Sequence, residues 1–369
     1  MKSFVKAFGL ASAVVFAAAC ASVGGGTGGT ATNGGPCAGP TSPAVIWPIK
    51  TREHVDLWLH GFAMLQEDTT FVPFFKRGYS TDMIVLKNRA NVVSQLDANR
   101  DKLRARLAAN PQLVNAQFVP LSFSTWAELT QTVDLFVRAE GNPRAASSQE
   151  QAGAIAFLAA YFPTGPDREW LRLFVQSLDD ESNRFYHSYW TQQQRERSNV
   201  LDLVDTQWQR TYRPRMQRFL NNTQQAQGTI LLSLPLDGEG RSLTNGKQSN
   251  TITVAFPERP SDAVEAIYVI AHEAVGGIAS TAVNDNITPE QRRTGLGERY
   301  QSAAAVRAGA LLIQRTSPEI LDGYMRYYLK SVNRPAGSNV QATFTATFSV
   351  PDTIRDALVR QLDVVLGGI

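Results

Sequence analysis

From Thr51 to about Gln227 the chain carries apolar residues at helical spacing and no strand-like run, which confines half of it to helix-on-helix packing. Thr51 can cap a first helix running to about Gln66. Ser80 opens a second, about 81–109, with Leu86, Val93, Leu96 and Leu103 on a helical repeat. Thr125-x-x-Glu128 and Ser148-x-x-Gln151 are capping boxes, each ahead of an apolar periodic segment. Asp167 starts a long helical region, continuous or broken near Ser198, bearing Trp170, Phe174, Phe185, Tyr189, Trp190 and Trp208. The pattern then changes. Thr229–Pro235 and Asn250–Phe256 read as strands, and the turn residues between them predict a hairpin or short meander. Asp262-x-x-Glu265 caps a further helix, followed by one over about Leu296 to Arg315, an extended Thr343–Val350 and a terminal helix from Pro351. The expected fold class is mainly α with a small antiparallel β element (α+β). A helical lobe over 50–227 packs against a part spanning 228–369.

Lys2 and Lys6 precede an apolar run, Ala7–Ala19, that is too short to span a bilayer and reads as a signal peptide, 1–19. It ends in Ala17-Ala-Ala-Cys20, which resembles a bacterial lipoprotein lipobox. That resemblance implies acylation of Cys20, secretion across the inner membrane, and a lipid anchor in the cell envelope. Ala21 after the cysteine implies the outer membrane; the plain alternative is cleavage at an Ala-x-Ala site. Residues 20–49, rich in Gly, Thr and Pro, cannot bury apolar surface and read as a flexible tether. Cys37 within it reads as an incidental thiol. With only two cysteines and one acylated, neither a disulfide framework nor a cysteine-rich metal site can form.

The formal net charge is +3, and removing residues 1–19, with two lysines and no acid, leaves +1. That balance excludes nucleic acid as a partner class. No Gly-x-Ser-x-Gly, P-loop or Gly-x-Gly-x-x-Gly occurs, so serine-hydrolase, nucleotide and dinucleotide readings have no support.

Near the end of the helix after the second strand the chain reads Ala-His272-Glu273-Ala-Val-Gly276. Two imidazoles one turn apart on a helix bind zinc while the intervening Glu activates a water. Here the first His and the Glu are present, and Gly276 stands at the second His position. The order of strand, His-Glu helix and a second helix bearing an acid resembles the gluzincin branch of the zincin metallopeptidases, over about residues 229–315. The resemblance implies His272 as a zinc ligand, Glu273 as the general base, and Glu298, 26 residues after His272, as the third ligand. It also implies that residues 250–256 form an edge strand that aligns a peptide, and that a tyrosine among Tyr324, Tyr327 and Tyr328 stabilises an oxyanion. With Gly276 the set has one ligand too few for a catalytic zinc. Asp285 or the other histidines, His54, His60 and His187, would have to fold in.

Two functions follow: peptide hydrolysis by a metal-bound water, or an inactive lipoprotein that binds a peptide or protein or supports the envelope. A third reading, a helical lipoprotein without this ancestry, requires that no edge strand run beside the His272 helix. Gly276 and Gly277 also have a packing explanation, as the seat of the small-residue face of Ser302, Ala305 and Gly309. Asp179-Asp-Glu181 reads as a solvated helix face, His187 as a packing residue, and His60 as a partner for Asp56.

Overall fold

The computed structural model describes residues 46–66, 68, 70–245 and 249–367. Cys20, Cys37, the signal segment and most of the tether lie outside the described residues. The chain opens with β1 (Ile49–Lys50) and α1 (Glu53–Leu65), then α2 (Tyr79–Arg89) and α3 (Gln95–Ala109). Next come α4 (Trp126–Arg138), α5 (Gln149–Tyr161) and α6 (Gly165–Glu181), then α7 (His187–Glu196), α8 (Ser198–Gln207) and α9 (Arg213–Asn222). Single π-helical turns, Ser182–Tyr186 and Trp208–Tyr212, join α6 to α7 and α8 to α9. The sheet strands are β2 (Gly228–Ser233), β3 (Arg241–Asn245) and β4 (Ser249–Ala255). Then follow α10 (Val264–Ala274), α11 (Gly276–Asn286), α12 (Pro289–Arg293), α13 (Leu296–Thr316), α14 (Leu321–Ser331), α15 (Val340–Thr347) and α16 (Asp352–Leu366). The fold is mainly α with a small β element. No single described helix is long and apolar enough to cross a membrane.

Local signals place many of these elements. Thr125 accepts from Glu128 N at the start of α4, and Ser148 from Gln151 N at the start of α5. Three expectations are corrected. Residues 81–109 are two helices, because Asn91 turns at φ 53° and Ser94 with Asp97 forms a capping box for α3. The extended 343–350 is largely helical: Asn339 caps α15, and Phe344 and Phe348, one turn apart, both enter the core. Asp262 does not cap α10, since its carboxylate is taken by Arg259 and Ser261.

The sheet is mixed, in the order β1-β2-β4-β3. β2 and β4 run parallel, with Ile230 beside Ile252 and Leu232 beside Val254, and only β3 pairs antiparallel, with β4. The simple hairpin between the two sequence-predicted strands is therefore replaced. The loop after β2 skips one strand position, β3 turns back, and β4 fills the gap. Strand 250–256 is interior and the edge belongs to β3.

Two apolar cores flank this sheet, and β2 divides its side chains between them by simple alternation. Ile230 and Leu232 join the core built from α8 to α16, while Leu231 joins the core built from α1 to α6. Along the helices the changeover falls between Tyr186 and Val200, so α8 and α9 pack with the C-terminal elements, while Trp47, Ile49 and Val72 also enter that core.

Candidate functional site

α10 lies across the sheet under β4 and reaches β3, so its C-terminal turn brings His272 and Glu273 to the start of the edge strand. Gly240, immediately before β3, donates its N–H to Glu273 Oε1 at 3.0 Å. A Cβ on Gly240 would overlap the Thr253 carbonyl, so only glycine lets this backbone come so close.

His272 and Glu273 are adjacent and sealed. Their side chains are 4% and 11% exposed, and Nε2 lies 3.7 Å from Oε1, beyond hydrogen-bond range. Burial pushes the His272 imidazole down to about 4. Burial, reinforced by Glu239, pushes the Glu273 carboxyl up to about 7 against the pull of Arg241 and the backbone at Gly240 and Ser242. At neutral pH the imidazole is uncharged, so the contact is not an ion pair. His272 Nδ1 is buried with no partner among the described residues.

Tyr328 packs its ring 5.3 Å from that of His272. Its hydroxyl donates to Gly238 O at 3.1 Å, and that of Tyr324 to Val306 O at 2.9 Å. Both tyrosines are fully buried, with their hydroxyls engaged by backbone carbonyls.

Glu298 is not brought to this pair. It is exposed in the first turn of α13, and the residue of α13 that meets His272 is Gly309, where a Cβ would lie 3.4 Å from His272 Cα. Glu298 and Gly309 are eleven positions apart, about 16 Å of helix. α10 itself stops at Ala274, and α11 leaves it at 42° from Gly276. A Cβ on Gly276 or Gly277 would meet nothing within 4 Å. The close helix approach expected at Gly276 occurs instead at Gly309, where a Cβ would overlap the Tyr324 hydroxyl.

Among the described residues, no group of three or more His, Cys, Asp or Glu side chains is placed to share a metal ion. The donor set at His272 does not fit a catalytic zinc, which needs three protein ligands and an open position. The other histidines are committed elsewhere. His54 Nε2 lies 3.0 Å from Phe123 O. His187 is 64% exposed and pairs with Glu53 at 2.8 Å, so it is a surface residue and not a packing one. His60 turns away from Asp56, which instead accepts from Trp190 and Ser233.

The least expected constellation is around His60. Glu181, read from sequence as solvated, is fully buried and accepts from His60 Nε2 at 3.2 Å and Lys87 Nζ at 2.6 Å, with Ser94 Oγ alongside. Lys87 also pairs with Asp97 at 2.6 Å, and His60 Nδ1 meets the Tyr79 hydroxyl at 3.0 Å. Burial alone would raise Glu181, but hydrogen bonds and charge from His60 and Lys87 outweigh it and hold the carboxyl down at about 2. Lys87 Nζ also contacts Ser94 Oγ at 3.0 Å, and it is shared with the carboxylates of Glu181 and Asp97. The one local signal near it, the capping box Ser94-x-x-Asp97, lies inside the stretch read from sequence as a continuous helix.

No protein family model, no curated protein and no solved structure matches this chain.

Proposed function

We propose that the chain is an inactive relative of the gluzincin metallopeptidases, lipid-anchored in the cell envelope through Cys20, that binds a peptide without cleaving it. The observation that carries this reading is the sealed His272–Glu273 pair: its carboxylate is engaged by Gly240, and Glu298 stands far along α13. The ancestry is supported by an edge strand beginning beside the motif helix and by the acid-bearing α13, which packs on that helix. β3 leaves one edge of the sheet without a strand partner, so an extended peptide can add there by backbone pairing.

Elemental analysis of protein purified without a histidine tag tests the inactive reading. Zinc is expected near background in both the native chain and His272→Ala. Near-stoichiometric zinc that disappears in the variant overturns it. One observation favours hydrolysis instead, the unpartnered His272 Nδ1, and in that case Glu273→Gln abolishes peptide cleavage. The anchor is tested separately, by fatty-acid labelling that must vanish in Cys20→Ser.

A further inference from the structure

One buried acid joins the two cores to each other. Asp56, on α1 of the first core, is 1% exposed. Its Oδ1 accepts from Ser233 Oγ on β2, the strand whose side chains alternate between the cores. Its Oδ2 accepts from Trp190 Nε1 at 2.9 Å and from Leu234 N at 3.5 Å. Trp190 and its neighbour Tyr189, on α7, pack against both cores. A single carboxyl therefore holds three elements together where the cores part.

Every group bonded to Asp56 is neutral, and none of the described cations forms an ion pair with it. From its own helix, His60 is turned to Glu181 and Tyr79. From the segment before α2, Lys76 pulls on it from a distance, but that ammonium pairs with Glu258 at 3.2 Å, with Arg197 and Asp237 behind it. β2 brings no ionisable side chain. Tyr79, Tyr186 and Tyr189 complete the surroundings, and burial raises all three, with Asp56 a lesser cause. Removing a charge from water without a cation beside it is costly, whereas the protonated acid costs far less. The bonds permit that form, since the Ser233 hydroxyl can accept as well as donate. Burial accordingly pushes the Asp56 carboxyl from 3.8 up to about 7, against its hydrogen bonds and the pull of Lys76.

We propose that Asp56 is a proton-controlled clasp between the two cores: protonated, it closes the junction of α1, β2 and α7 tightly, and loss of the proton loosens it. The sign follows from linkage. The closed junction binds the proton more tightly than an Asp56 exposed to water. Closure is therefore most favoured below pH 3.8, and that advantage is lost as pH rises to about 7. The clasp is separate from the His272–Glu273 pair, which lies within the second core.

The test is amide hydrogen exchange on the full chain from pH 5 to 8, each rate corrected for intrinsic exchange. In α1, β2 and α7 the opening constant is expected to rise about tenfold per pH unit toward 7, then level off, the slope of one proton. Asp56→Asn keeps an acceptor for Trp190 and Leu234 and should flatten that rise. Ser233→Ala removes one donor to the carboxylate and should move the levelling-off to higher pH, which decides the matter should Asp56→Asn not fold. Glu273→Gln should leave the rise at the junction unchanged. Opening that is independent of pH in the native chain, the same rise in Asp56→Asn, or no displacement in Ser233→Ala overturns the clasp. A rise that vanishes in Glu273→Gln belongs to that carboxyl and overturns it too.

Discussion

The two cores each bury a histidine beside a glutamate, and the two pairs behave in opposite ways. In the first core Glu181 has Lys87 and His60 as partners and its carboxyl is held down at about 2. In the second core Glu273 has the backbone at Gly240 and Ser242, Arg241 and a neutral imidazole nearby, and burial still pushes its carboxyl up to about 7. Burial acts in the same direction at both sites. The difference is a cation in direct contact: with Lys87 bonded to it the charged carboxylate is the stable form, whereas at Glu273 burial outweighs the pull of Arg241. Chemistry-bearing residues in a core therefore carry no function by themselves. The first pair is a satisfied ionic network tying α1, α2 and α6 together. The second holds a His-Glu pair without, among the described residues, the further ligands a metal site needs.

The largest expected effect comes from breaking the satisfied pair. Glu181→Gln should destabilise by about 3 kcal/mol, because it takes the buried one of two carboxylates from a lysine 2% exposed and leaves it with the partly exposed Asp97. Urea unfolding measures this. Adding Lys87→Met should recover part of the loss, since removing both charges costs less than orphaning one. A double variant as unstable as the sum of the singles would show that the two residues act separately.

Titration sharpens the contrast. Glu181, lowered from 4.5 to about 2, contributes stability that is present above pH 4.5 and is lost as pH falls toward 2. Glu273, raised from 4.5 to about 7, binds its proton more tightly when folded, so stability falls as pH rises from 4.5 to 7. His272, lowered from 6.5 to about 4, binds its proton less tightly when folded, so stability falls as pH drops from 6.5 to 4. The last two oppose each other between 4.5 and 6.5, and each single variant should unmask the other. Relative to the native chain, Glu273→Gln should gain about 3 kcal/mol at pH 8, while keeping an acceptor for Gly240. His272→Gln should instead steepen the loss of stability from pH 4.5 to 7. Parallel pH profiles for all three proteins would remove the proposed burial effect.

How much of this was legible depends on range in sequence. The caps of α4 and α5 lie within a few residues of the helices they start, and they were readable. The break between α2 and α3 was also written locally, in Ser94-x-x-Asp97, but a continuous apolar repeat across 86–103 masked it. The Glu181 network was not legible, because its partners lie 94 and 121 residues away and an acidic triplet looks solvated by itself. Parallel pairing of β2 with β4 was hidden for the same reason: turn residues announce a reversal without saying which strand position the chain returns to. Thr-rich 343–350 looked extended because β-branched residues favour strands, and the apolar pair Phe344 and Phe348 overrode that preference by packing. At the motif helix, sequence located the His-Glu pair but not its sealing by Gly240, nor the displacement of Glu298.

A smaller effect tests the packing around the second pair. Gly309→Ala should destabilise by about 1–3 kcal/mol, since the new methyl group must displace the Tyr324 hydroxyl from its bond to Val306 O where α13 meets His272. Unfolding in urea reads the loss, and Gly309→Ala with Tyr324→Phe should restore part of it by relieving the overlap. An unchanged midpoint in the single variant would mean that α13 can move away from α10 freely.

The smallest effect is expected at the position that most invites a functional reading. A side chain at Gly276 meets open space, so Gly276→Ala and Gly276→His should each leave stability within about 1 kcal/mol of native. The histidine variant rebuilds the His-Glu-x-x-His spelling, yet zinc is expected to stay near background. α10 ends at Ala274, α11 diverges by 42°, and Glu298 remains about 16 Å of helix from the residue that touches His272. Stoichiometric zinc in Gly276→His would mean that one further ligand is all that separates the second pair from a metal site. Its absence, with the fold intact, would mean that the second pair diverged in backbone as well as in side chain, and that restoring a motif does not restore a site.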